Sequence, residues 1–158
     1  MCIRDSFDID KRNFTIVDVD GDGHKLQQYN RLLFCDSKKR IWAGGEMGIS
    51  VFNQVGTSLL PNTDFQIASV LKQAFVNCFY ETSSGYLWIG TRNGLFALKE
   101  SDKQFLQYTT ENGLPSNVIY GILEDAYGRL WISTNQGLSC LNSESGKFRN
   151  FTIMDGLQ

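Results

Sequence analysis

The chain has 158 residues, with 15 Lys and Arg against 17 Asp and Glu, a formal net charge of −2, and 42% hydrophobic residues. This balance, without any Lys/Arg run, argues against a nucleic-acid surface, and no apolar stretch reaches the ~18 residues of a membrane span. The four cysteines, Cys2, Cys35, Cys78 and Cys140, form no C-x-x-C pair, so neither a zinc site nor a disulfide framework is expected.

In chain order, the opening MCIRDS (residues 1–6) fits no later pattern and resembles a translated adaptor, so it is set aside as a non-native lead. Residues 7–30 read as the outer part of a preceding structural unit and its connection. Within them, Asp18, Asp20 and Asp22 alternate with Val19 and Gly21 before Gly23, like the start of a calcium loop. The full loop needs a bidentate Glu at its last position, where Tyr29 stands. A polar connection is therefore the favoured reading and calcium the alternative; no metal or cofactor is assigned. His24, the sole histidine, has no visible partners for a triad or a metal centre.

From residue 31 onward the text repeats. Trp42, Trp88 and Trp131 lie 46 and 43 residues apart, inside RIWAGGEMGISVF, YLWIGTRNGLFAL and RLWISTNQGLSCL. Self-similarity at this period marks a repeat architecture. The first unit, 31–74, keeps a turn at Asp36, the Trp42 strand and the Gly48 turn. Cys35 stands where the other units have Glu81 and Glu124, and Lys39 where they have Gly85 and Gly128. Between Asn53 and Ala74 no fourth strand is marked. The second unit, 75–117, matches the third position by position: Phe105 with Phe148, Tyr108 with Phe151, Gly113-Leu114 with Gly156-Leu157.

The third unit, 118–158, is the clearest. Val118–Leu123 is an almost unbroken apolar run, as in a strand buried on both faces. Asp125-Ala126-Tyr127-Gly128 supplies turn chemistry. Strands over Leu130–Thr134, Leu138–Leu141 and Lys147–Thr152 follow, separated by Asn135-Gln136-Gly137 and Ser143–Gly146. Four short strands in an antiparallel meander make a propeller blade. The predicted fold is all-β: a β-propeller fragment of about three four-stranded antiparallel blades plus part of a preceding one, its ring not closed. The Trp on each second strand is expected to fill the space between blades.

The run Glu124–Leu138, EDAYGRLWISTNQGL, preceded by GLPSNVIYGI, resembles the two-component regulator propeller repeat, and the resemblance extends from about residue 31 to the end. It implies the extracytoplasmic sensor of a hybrid two-component histidine kinase, periplasmic or extracellular, in which propellers precede a further β-domain, a membrane span and the kinase. It also implies a small extracellular ligand such as an oligosaccharide. The partners are then that ligand and the remaining blades and kinase region of the parent protein.

Strand alternation puts the loops after the second and fourth strands of each unit on one face. There the side chains vary while the neighbouring Gly stays fixed, as a binding surface requires. The candidate ligand residues are Glu46, Arg92, Asn93, Asn117, Asn135 and Gln136, with Arg92 and Asn93 foremost because Arg offers a planar donor fork. No nucleophile–base pair is visible, so no catalytic residue is assigned and the chain is read as a non-enzyme. The alternatives are a propeller lyase acting on a polysaccharide or cyclic peptide, and a protein-interaction scaffold. Apolar sheet faces without a neighbour would favour association of the isolated chain.

Overall fold

The computed structural model describes residues 5–8, 13–16, 30–56, 58–62, 71–99, 101, 104–142 and 145–157. Asp18, Asp20, Asp22 and His24 lie outside the described residues, so the calcium alternative falls outside them too. The chain divides into two compact units, residues 1–74 and 75–158.

In the first unit, β1 (Asp5–Asp8) and β2 (Asn13–Ile16) form an antiparallel hairpin. A four-stranded antiparallel sheet follows, ordered β3 (Asn30–Cys35), β4 (Arg40–Gly45), β5 (Gly48–Val55), β6 (Ser58–Pro61). The short β6 occupies the stretch in which the sequence marked no strand. It pairs Leu60 with Asn53 and ends on Pro61. A proline lacks the N–H of a ladder donor, which an edge strand tolerates, and this is why propensity alone misses the strand. The Asp36 turn closes with Lys39 N–H on the Asp36 carbonyl at 2.9 Å. To do so Lys39 takes φ 62°, where Gly85 and Gly128 stand at 80° and 71°.

The second unit holds two such sheets. The first is β7 (Val76–Glu81), β8 (Tyr86–Thr91), β9 (Gly94–Lys99), β10 (Gln104–Tyr108); the second is β11 (Ile119–Glu124), β12 (Leu130–Thr134), β13 (Gly137–Asn142), β14 (Lys147–Phe151). Both run in sequence order from edge to edge. β8 and β9 are buried along nearly their whole length, so they carry apolar runs rather than alternation. Their core joins Trp88, Leu95 and Ala97 to Ile119, Leu130 and Ile132 of the other sheet. Leu114, in the connection between the sheets, is 3% exposed and belongs to that core. Leu71, one repeat earlier, is likewise buried.

An aromatic chain crosses the same packing: Tyr86 to Trp88 at 6.1 Å, Trp88 to Tyr108 at 5.8 Å, and Tyr108 edge-on to Phe148 at 5.8 Å. Trp42 and Trp88 are 0% and 5% exposed, whereas Trp131 is half-buried and stacks on Phe151 at 5.5 Å.

Two expectations follow. Replacing Trp42 or Trp88 with Ala should cost about 3–5 kcal/mol in chemical denaturation, and Trp131→Ala visibly less, because it gives up less burial. Lys39→Gly should gain up to about 1 kcal/mol by relieving a left-handed residue that bears a Cβ.

Candidate functional site

The turns that carry Arg92-Asn93 and Asn135-Gln136 are built from a Thr-x-x-Gly frame, whereas the Glu46 turn has Gly45 in place of the threonine. In β8–β9, the Thr91 hydroxyl donates to the Gly94 carbonyl at 2.8 Å and accepts from Asn93 N–H at 2.9 Å. Thr134 repeats both bonds, to the Gly137 carbonyl at 2.9 Å and from Gln136 N–H at 3.1 Å. Gly94 and Gly137 take φ 121° and 114°. A Cβ on Gly94 would stand 2.6 Å from the Tyr108 carbonyl, so no larger residue fits. The frame is thus held by hydroxyl and glycine, and the two residues between them, Arg92-Asn93 or Asn135-Gln136, are exposed.

The β8–β9 turn is tied to both chain connections beside it. Arg92 N–H donates to the Phe75 carbonyl at 3.0 Å, and Gly94 N–H to the Asn117 carbonyl at 2.8 Å. Gln107 Nε2 donates to the Asn93 carbonyl at 2.9 Å. The exposed Arg92 guanidinium lies over the Phe75 ring, 3.6 Å from its centre. Asn117 is half-buried, and its Oδ1 accepts from Thr110 N–H at 2.8 Å, which pins the connection. Part of its polar capacity is therefore structural. Arg92, Asn93 and Asn117 come together in this way. Asn135 and Gln136 border an open groove of about 810 Å³ with Thr134, Leu138, Ile153 and Met154; Ile153 and Met154 are 82% and 95% exposed. In the first unit, Glu46 forms an ion pair with Arg31.

Sequence reasoning missed one class of residue on this face. The first strand of each four-stranded sheet carries a β-bulge at the same place, between Asn30 and Leu32, Val76 and Cys78, and Ile119 and Gly121. The extra residues are Arg31, Asn77 and Tyr120. A bulge bends a strand and re-aims a side chain, and each lies opposite the end of the second strand, beside the variable turn. Asn77 Nδ2 donates to the Ile119 carbonyl at 2.7 Å, and Tyr120 is 57% exposed. Their repeat positions match, but their identities do not. Without a fixed residue type, only the extra residue in the register could have revealed them.

The opposite turns are occupied structurally. Asp36 accepts from Trp42 Nε1 at 2.8 Å and from Arg40 Nε at 2.6 Å, and its other oxygen from Arg40 N–H at 2.9 Å. Asp125 does the same with Trp131 Nε1 at 2.8 Å and Arg129 Nε at 2.7 Å. Burial works to raise the Asp36 carboxyl, but the bonds from Trp42 and Arg40 outweigh it and hold the group below its ordinary range. Asp125 is depressed against the same opposition by bonds from Trp131 and Arg129. In the middle unit Thr82 takes this place and accepts from Tyr86 N–H at 3.1 Å. Burial pushes the Cys78 thiol up to about 11, which leaves it protonated and unreactive at neutral pH. Among the described residues no group of His, Cys, Asp and Glu is arranged to hold a metal, and no helix is long and apolar enough to cross a membrane.

Residues 71–93 and 113–136 match the family described as two component regulator propeller. No curated protein matches the chain in sequence. Among solved structures, the chain is similar to the extracellular domain of the hybrid two component system protein BT3049 from B. thetaiotaomicron. The two share 26% identity over 84% of this chain and 18% of that one, with a TM-score of 0.69. The extracellular domain of BT4673 from the same organism is 16% identical over 94% of this chain and 21% of its own, also at 0.69. Virginiamycin B lyase from Staphylococcus aureus is 20% identical over 76% of this chain and 40% of its own, at 0.54. The chain thus spans about a fifth of the length of the two extracellular domains.

The carboxylate clamp yields a pH dependence. Both Asp pKa values are lowered in the fold, so their stabilisation is complete above the unfolded value near about 4 and is lost as pH falls towards the folded value. The thermal midpoint should drop steeply below about pH 4. Asp36→Asn should cost about 1–3 kcal/mol at pH 7 by weakening the partners of buried groups, and should flatten that acid slope.

Proposed function

Because the chain carries two-component regulator propeller repeats, we propose that it is part of the ligand-sensing region of a hybrid two-component sensor, lying outside the cytoplasm. It binds a small extracellular molecule, an oligosaccharide being the class favoured by the resemblance. The observation that carries this reading is the division of labour within the second and third repeats. Thr91 and Gly94, or Thr134 and Gly137, hold the turn, while exposed Arg92-Asn93 and Asn135-Gln136 differ from blade to blade. A constant frame that presents non-identical polar side chains suits recognition of an irregular ligand better than repetition of one contact. The similarity to the BT3049 extracellular domain supports the same assignment.

Signalling then requires no chemistry from this chain. The residues bind, and the rest of the parent protein transmits. The lyase reading needs a general acid or base on this face, and the grouped candidates Arg92, Asn93 and Asn117 supply none. The similarity to virginiamycin B lyase is one of fold.

The test is calorimetric titration of the chain with a panel of plant, host and microbial oligosaccharides, each recovered and examined by mass spectrometry. At least one should bind and return intact. The combined Asn93→Ala, Asn135→Ala, Gln136→Ala variant should then bind it at least about tenfold more weakly. Cleavage of a bound oligosaccharide would transfer the chain to the lyase reading, and unaltered affinity in the variant would remove this face from the site.

A further inference from the structure

We infer that Arg92 seats an oxyanion of the ligand, a carboxylate or a sulfate ester, and that Phe75 holds its guanidinium in place for that purpose. This rests on the sensing role proposed above and narrows its ligand to an acidic oligosaccharide.

The inference comes from comparing the same register in successive sheets. In the first sheet the turn residue is Glu46 and the bulge residue is Arg31, and they neutralise one another in an ion pair. In the second sheet the turn residue is Arg92, and the bulge residue is Asn77. Asn77 carries no charge, and its amide is engaged by the Ile119 carbonyl at 2.7 Å. In the third the pair is Asn135 and Tyr120, both exposed. The middle sheet therefore presents a cation where its neighbours present a closed ion pair or neutral groups. Among the described residues no carboxylate pairs with Arg92. Glu111, on the adjoining connection, forms no ion pair with it either. By contrast Arg40 and Arg129 are each bound to an aspartate of their own hairpin, at 2.6 Å and 2.7 Å.

Arg92 is also not a loose surface chain. Its guanidinium carbon lies 3.6 Å from the centre of the Phe75 ring. Its own N–H is bonded to the Phe75 carbonyl at 3.0 Å, so the residue that carries the ring and the residue that carries the charge are tied by the backbone as well. Stacking uses the flat face of the guanidinium and leaves its edge, with the in-plane N–H donors, directed away from the ring. That edge matches the paired oxygens of a carboxylate or sulfate. Holding the fork in place removes much of the side-chain entropy that a free arginine would lose on binding. Exposed Asn93 next to it, whose carbonyl is occupied by Gln107, offers an amide for a neighbouring hydroxyl.

The experiment compares three probes on the chain at fixed ionic strength: a uronate-containing oligosaccharide set, a sulfated set, and neutral counterparts made by carboxyl reduction and desulfation. Folding of each variant is checked by thermal melting, which substitution of the exposed Arg92 should leave intact. The expected result is binding of an acidic set in preference to its neutral counterpart. Arg92→Ala should weaken that binding about 10- to 100-fold, the range for a charge-assisted hydrogen bond. Arg92→Lys should recover only part of the loss, because the point charge returns without the fork. Phe75→Leu should weaken binding with the charge unchanged. Preference for the uronate or the sulfated set identifies the source of the oxyanion. Binding of neutral oligosaccharides equal to that of the acidic ones would overturn the inference and leave the sensing role standing, as would acidic binding that Arg92→Ala does not alter. Failure of every set to bind would count against both.

Discussion

A sheet with apolar side chains on both faces cannot stand in water, and the rest of this structure follows from that constraint. β8 and β9 are buried along nearly their whole length, and within the second unit the third sheet supplies the matching apolar surface through Ile119, Leu130 and Ile132. The indole on the second strand is where this requirement is largest. Trp88 fills the space towards Ile119 and Ile132, with Tyr86 and Tyr108 packed around it. Its polar edge needs a partner if it is to be buried elsewhere in the repeat. Trp42 and Trp131 find theirs in the aspartate of the preceding turn, which an arginine two residues before each indole also contacts. One carboxylate thus closes a hairpin, satisfies a buried N–H and balances a cation.

That economy separates the two ends of each blade. The turn between first and second strands is committed to holding the indole, or in the middle unit to the Thr82 substitute. In the second and third blades the turn between second and third strands is fixed by a threonine hydroxyl and a glycine, and its intervening residues are exposed. Stability is concentrated at one end and variation permitted at the other. The bulge on each first strand adds a second variable position beside the free turn, and it too is a place where the ladder imposes no residue type. Arg31, Asn77 and Tyr120 share a register and nothing else.

Much of this was legible in the sequence because the repeat supplies its own comparison. Trp42, Trp88 and Trp131 set the frame, and glycines at fixed offsets mark turns that need positive φ. The strands of the last two units then fall within a residue or so of their expected places. What was not legible had no period to read. β6 lies where the first unit departs from the others, and its Pro61 argues locally against a strand that pairing nevertheless permits at an edge. The bulge residues were hidden because a bulge is a property of register between two strands, not of one stretch of text. The Asp36 and Asp125 turns were recognised as turns, but their grip on an indole six residues onward depends on a fold-back that composition does not announce.

Turn identity and bulge identity can be considered together as one site per blade, and their chemistry then becomes comparable across the repeat. Glu46 with Arg31 is charge-closed: each partner consumes the other. Asn135 with Tyr120 is neutral and exposed. Arg92 with Asn77 is charge-open: Asn77 is neutral, and its amide donates to the Ile119 carbonyl of the next sheet. Blades built on these rules can vary the side chains at two positions per repeat by single substitutions, while the turn glycine and the indole packing stay as they are.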